Sequence, residues 1–81
     1  MKVVVDVLYF AALRDRAGMA GESVETSAAD LAALYAELHA RHGLPFEQKE
    51  LRVAVDGAFA DWHDAVCAGS TVAFIPPVSG G

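Results

Sequence analysis

The sequence predicts one α+β domain with a single main helix and elements in the order β-β-α-β-β-β. Three observations carry this. Residues 2–10 and 71–75 are β-branched and aromatic runs at the two ends of the chain. Leu31, Leu34, Tyr35 and Leu38 recur at the i, i+3, i+4, i+7 spacing of one helical stripe. Asp56-Gly57 lies between two short apolar segments, as in a tight hairpin.

The first strand runs from Lys2 to Phe10. Val3, Val5, Val7 and Tyr9 lie on one face, with Val4, Asp6, Leu8 and Phe10 on the other. Both faces are largely apolar, which predicts a central strand. Residues 11–21 carry charges and two glycines and read as a loop with a turn of helix at Ala12–Arg16. Glu22–Thr26 is a short second strand. Ser27, with Asp30 three residues on, matches a capping box and predicts the helix start. Arg41 and His42 fall in its last turn, His42 as a cation at the helix end, and Gly43 fits the left-handed position that stops it. Leu51–Val55, Ala58–Ala60 and Thr71–Ile75 complete the strands, and Pro76-Pro77 ends the last because neither can donate to a ladder. The domain is therefore placed at residues 1–75 and a flexible tail at 76–81.

One helix covers one face of a sheet, here the face of Val3, Val5, Val7 and Tyr9. Leu8 and Phe10 then stand on an uncovered face. Phe10 either closes an end of the core or belongs to a partner surface, and uncovered apolar area favours the partner.

With 81 residues, the chain buries only about 60–65% of its unfolded surface, which leaves little room for a catalytic pocket. Its 54% hydrophobic content argues against disorder. Six Lys and Arg stand against eleven Asp and Glu, for a net charge of −5. The cations are scattered, so nucleic acid and anionic membrane are not expected partners, whereas docking to a basic protein surface is. A single cysteine and no recognisable targeting segment predict a cytoplasmic protein.

The candidate metal and nucleophile residues are weak. His39 with His42, and Asp61 with His63 and Asp64, lack the His/Cys complement of a zinc site. His63 reads as a surface residue, Trp62 and Tyr35 as core. Cys67 has no neighbouring cation to lower its pKa and reads as a semi-buried packing residue.

The ending Pro76-Pro77-Val78-Ser79-Gly80-Gly81 has two readings. A terminus commonly frays. Alternatively, a carboxylate carried on two glycines can enter a slot too narrow for side chains, with the prolines setting its reach. A carboxylate delivered in this way must be activated, for instance as a mixed anhydride with AMP, before sulfur or nitrogen displaces its oxygen.

Three segments, Val7–Arg14, Val53–Gly57 and Val72–Gly81, closely resemble the MoaD family of ubiquitin-like sulfur carriers, the small subunits of molybdopterin synthase. The resemblance spans essentially the whole chain, and its last segment is the most specific. It implies a β-grasp fold with a mixed sheet. It also implies that an E1-like activating enzyme of the MoeB type adenylates Gly81 with ATP. A cysteine desulfurase or rhodanese-type donor then converts Gly81 to a thiocarboxylate. The tail of Pro76, Pro77, Val78, Ser79 and Gly80 would enter a large subunit of the MoaE type, where sulfur passes to cyclic pyranopterin monophosphate. Two small and two large subunits would assemble, with Leu8, Phe10 and Ile75 at the partner interface. No bound cofactor or metal is implied, and the catalytic residues that handle the pterin would belong to the large subunit. The rival readings are a carrier for the thiazole of thiamine or for tRNA thiolation, a protein modifier, and a binding module with an inert tail. The Pro-Pro ending disfavours the thiazole carrier.

Overall fold

In the computed structural model, which describes residues 1–77, five strands and two helices follow the expected order with one addition. They are β1 (Val3–Tyr9), α1 (Ala12–Ala17), β2 (Gly21–Thr26), α2 (Leu31–His42), β3 (Arg52–Val55), β4 (Ala58–Ala60) and β5 (Thr71–Ile75), with a 3-10 turn at Gln48–Glu50. The expectations placed on Val78, Ser79, Gly80 and Gly81 lie outside the described residues. The sheet order is β2-β1-β5-β3-β4. β1 and β5 are parallel and every other pairing is antiparallel, so the sheet is mixed.

β1 is central, as its two apolar faces predict. Its inner face sends Val5, Val7 and Tyr9 into the core, where Val24, Leu34, Leu38, Val53, Val72 and Phe74 meet them. α2 supplies the stripe Leu31, Leu34, Tyr35 and Leu38, all buried. Trp62 stacks on Phe74 at 5.9 Å between centroids, and Tyr35 packs edge-on to both. The Tyr35 hydroxyl donates to the carbonyl of Phe46 at 2.5 Å. Burial pushes its pKa up to about 12, assisted by the charges of Glu47 and Glu50.

The turn chemistry follows the sequence. Asp56 and Gly57 both have positive φ, 51° and 88°, the combination a two-residue type I′ hairpin requires. Asp56 also accepts from the Thr71 amide at 2.9 Å, tying the hairpin to the start of β5. Gly43 adopts φ 63° and closes α2.

Two expectations are corrected and two are extended. The turn of helix expected at Ala12–Arg16 is present and runs to Ala17, because Leu13 is buried against the core and Gly18, at φ 79°, stops it. The cap of α2 is Asp30, not Ser27, and the helix starts at Leu31. The Leu31 and Ala32 amides donate to the carbonyls of Asp64 and Trp62, the Ala33 amide to the Asp30 carboxylate at 2.8 Å, and the Leu34 amide to the Asp30 carbonyl. All four first-turn donors are thereby satisfied without Ser27. Cys67 is exposed, not packed. Its carbonyl accepts from Ser70 in the turn before β5, and the neighbouring Val66 makes the apolar contact instead. His42 does more than sit at a helix end: its ring pairs with Glu22 on β2.

Candidate functional site

The uncovered face of the sheet holds the candidate site. Residues opposite one another in a ladder share a face. Leu8 pairs with Ala73, Ala73 with Ala54, and Ala54 with Phe59, which makes one row across β1, β5, β3 and β4. The two central members are alanines, so the middle of the row is low. Leu8 and Phe10 stand along one side, Phe59 on the other and Ile75 beside them. Together they enclose a shallow hollow of about 310 Å³ whose lining is mainly apolar. Leu8 is 38% exposed, Phe10 45% and Phe59 64%. These are large apolar groups in water, arranged around a depression and not scattered singly.

The structure thus brings the predicted Leu8, Phe10 and Ile75 together around one hollow. Sequence reasoning missed Phe59. The available signal was its place two residues after the Asp56-Gly57 turn, which sets it opposite Ala54. Ile75 is the last residue of β5, and Pro76, half-buried, and Pro77, exposed, continue from that end of the hollow. Gly81 and its neighbours in the tail lie outside the described residues.

Behind this face, β2 and α2 brace the end of β1. The Tyr9 hydroxyl donates to Glu22 Oε2 at 2.7 Å, and His42 Nε2 lies 2.6 Å from the same oxygen. The Tyr9 and His42 rings meet edge to face at 5.7 Å. Burial, then the bond to Glu22, pushes the Tyr9 pKa far up, so its hydroxyl remains a donor. For Glu22, burial opposes the charge. The hydrogen bonds from Tyr9 and His42 and the charges of His42 and Arg41 outweigh burial and hold the carboxyl below its usual range. The bracing fixes Tyr9, and with it the backbone that carries Leu8 and Phe10.

Among the described residues, no three of His, Cys, Asp and Glu stand close enough to hold a metal ion. His63 is exposed, and its amide donates to Asp61. No helix among the described residues is long and apolar enough to cross a membrane.

A mixed five-stranded sheet grasping one main helix is the β-grasp architecture of ubiquitin-like proteins. Residues 7–81 match the ThiS family, and the chain belongs to it. It is a small ubiquitin-like sulfur carrier.

Solved structures agree. A putative molybdopterin converting factor, subunit 1, from Pyrococcus furiosus is 29% identical, with TM-score 0.78 over 94% of this chain and 99% of that one. SAMP1 from Haloferax volcanii is 26% identical, with TM-score 0.79 over 96% and 99%. A complex of subunits 1 and 2 of molybdopterin-converting factor from Helicobacter pylori 26695 contains a chain 25% identical, with TM-score 0.65 over 98% and 100%.

Proposed function

We propose that this chain is the sulfur-carrying small subunit of a molybdopterin synthase. The supporting observation is the apolar hollow of Leu8, Phe10, Phe59 and Ile75 at the strand end from which residues 76–81 depart. A surface of this kind docks a partner while the adjoining segment reaches into the partner's site. The likeness to the Pyrococcus furiosus and Helicobacter pylori proteins supports this reading.

In this reading, an E1-like enzyme joins the Gly81 carboxylate to AMP, with pyrophosphate leaving from ATP. The outer sulfur of a donor persulfide then displaces AMP to form an acyl disulfide, and a donor thiol cleaves its S–S bond, leaving the thiocarboxylate and a disulfide on the donor. Pro76 and Pro77 limit the freedom of the arm, and Gly80 and Gly81 allow passage through a narrow channel. In the large subunit, the thiocarboxylate sulfur attacks a carbon of cyclic pyranopterin monophosphate and displaces its oxygen substituent, with proximity supplying much of the rate. Water then cleaves the acyl–sulfur bond, so that sulfur stays on the pterin and the Gly81 carboxylate is restored. This chain contributes the nucleophile and its reach, and the partner contributes the pocket.

A second reading, a protein modifier in which Gly81 forms an isopeptide bond with lysine, is favoured by the likeness to SAMP1, a small archaeal modifier protein. One experiment separates the two. The chain is incubated with activating enzyme, ATP and sulfur donor, then with the large subunit and cyclic pyranopterin monophosphate. The expected result is an oxygen-to-sulfur mass increase on the C-terminal peptide followed by molybdopterin, with neither formed by a chain lacking Gly81. A carboxylate that never gains sulfur overturns the carrier reading. Lysine conjugates without molybdopterin select the modifier.

A further inference from the structure

We propose that Arg52 is a specificity contact of the docking surface, receiving a carboxylate from the partner protein that takes up residues 76–81. This rests on the reading above and names the chemistry of the partner at one point. Arg52 shares the outer face with Ala54 and lies opposite Ile75 in the β3–β5 ladder. It therefore stands at the root of the tail. Its guanidinium carbon sits 4.3 Å from the centroid of the Phe59 ring, one wall of the apolar hollow. A second hollow, of about 390 Å³, is lined by Arg52 together with Phe59. Phe59 lines both depressions.

Among the described residues, the Arg52 guanidinium has no side-chain hydrogen bond and no carboxylate within 4.0 Å. Asp61 is the only acid lining the second hollow, and its Oδ1 accepts from the His63 amide at 2.8 Å. The Phe59 ring attracts the cation through its face but supplies no in-plane acceptor. A guanidinium presents a planar fork of donors, and a carboxylate matches it with two parallel bonds. A phosphate polymer does not fit, because one arginine in a chain of net charge −5 is no polyanion site. Placed beside apolar anchors, such a pair adds orientation and rejects partners that present a cation there.

The test measures binding to the large subunit of molybdopterin synthase by calorimetry at low and high salt. The chains are the unaltered protein, Phe10→Ala, Arg52→Lys, Arg52→Gln and Arg52→Glu, each with its melting temperature. Arg52→Glu is expected to weaken binding about tenfold or more at low salt and by less at high salt. Arg52→Lys is expected to lose least, with Arg52→Gln between them. Melting temperatures should stay near that of the unaltered chain. If Arg52→Glu binds like the unaltered chain while Phe10→Ala is weakened, the arginine contact is overturned and the carrier reading stands. Equal losses for all three Arg52 variants at both salts would mean that Arg52 only packs on Phe59, which also overturns it. No binding by the unaltered chain overturns both.

Discussion

Glu22 on β2 and His42 at the end of α2 meet at 2.6 Å, joining the edge of the sheet to the helix that covers it. Tyr9 bonds the same carboxylate oxygen from the central strand. The Glu22 carboxyl is held below its ordinary 4.5 despite burial, so the folded state binds its proton more weakly than the unfolded chain does. The stability this group contributes is therefore fully present above its unfolded pKa and is lost as pH falls through the folded value. Urea unfolding followed from about pH 6 to about pH 3 should show the native chain losing more stability than Glu22→Gln. Near neutral pH the variant should be weaker by about 1 kcal/mol, because Gln keeps an acceptor but not the charge. Parallel pH profiles for the two proteins would remove Glu22 from this role.

The helix start makes a second prediction. Asp30 accepts from Ala33 at 2.8 Å, whereas Ser27 is exposed and precedes the helix by three residues. Asp30→Ala should cost about 1 kcal/mol in denaturant unfolding. Ser27→Ala should stay within about 0.5 kcal/mol, as surface changes do. A larger loss at Ser27 would return the cap to the position that the capping-box pattern indicates.

That pair also shows what a sequence conveys. Alternation along β1, the stripe of α2, the Asp56-Gly57 turn and the Gly43 stop are local patterns, and each is legible because neighbouring residues set it. The start of α2 is not local: its first two amides are satisfied by carbonyls of Trp62 and Asp64, some thirty residues away in the chain. The Tyr9–Glu22–His42 cluster has the same character, since three elements must be in place before the groups converge. Leu8, Phe10 and Ile75 could be nominated from strand parity and resemblance. Phe59 could not be read from its own segment, because a three-residue strand offers no alternation. Its importance comes from the register that sets it across two alanines from Leu8.

Register also explains why β2 begins with glycine. Gly21 lies opposite Leu8, and a β-carbon there would sit 2.8 Å from the Val7 carbonyl oxygen and 3.1 Å from Leu8 Cδ2. The first neighbour is backbone and cannot turn aside, while the second is the tip of a side chain that can. Gly21→Ala should therefore destabilise the fold by about 1–3 kcal/mol, as overpacking does, and displace Leu8 towards the hollow. Adding Leu8→Ala to Gly21→Ala would relieve the side-chain contact but leave the carbonyl clash. The double variant should recover only part of the coupling in a thermodynamic cycle built from the four melting curves. Complete relief in the double variant would place the whole strain in the Leu8 side chain. It would also show that the ladder can open at Gly21 without cost.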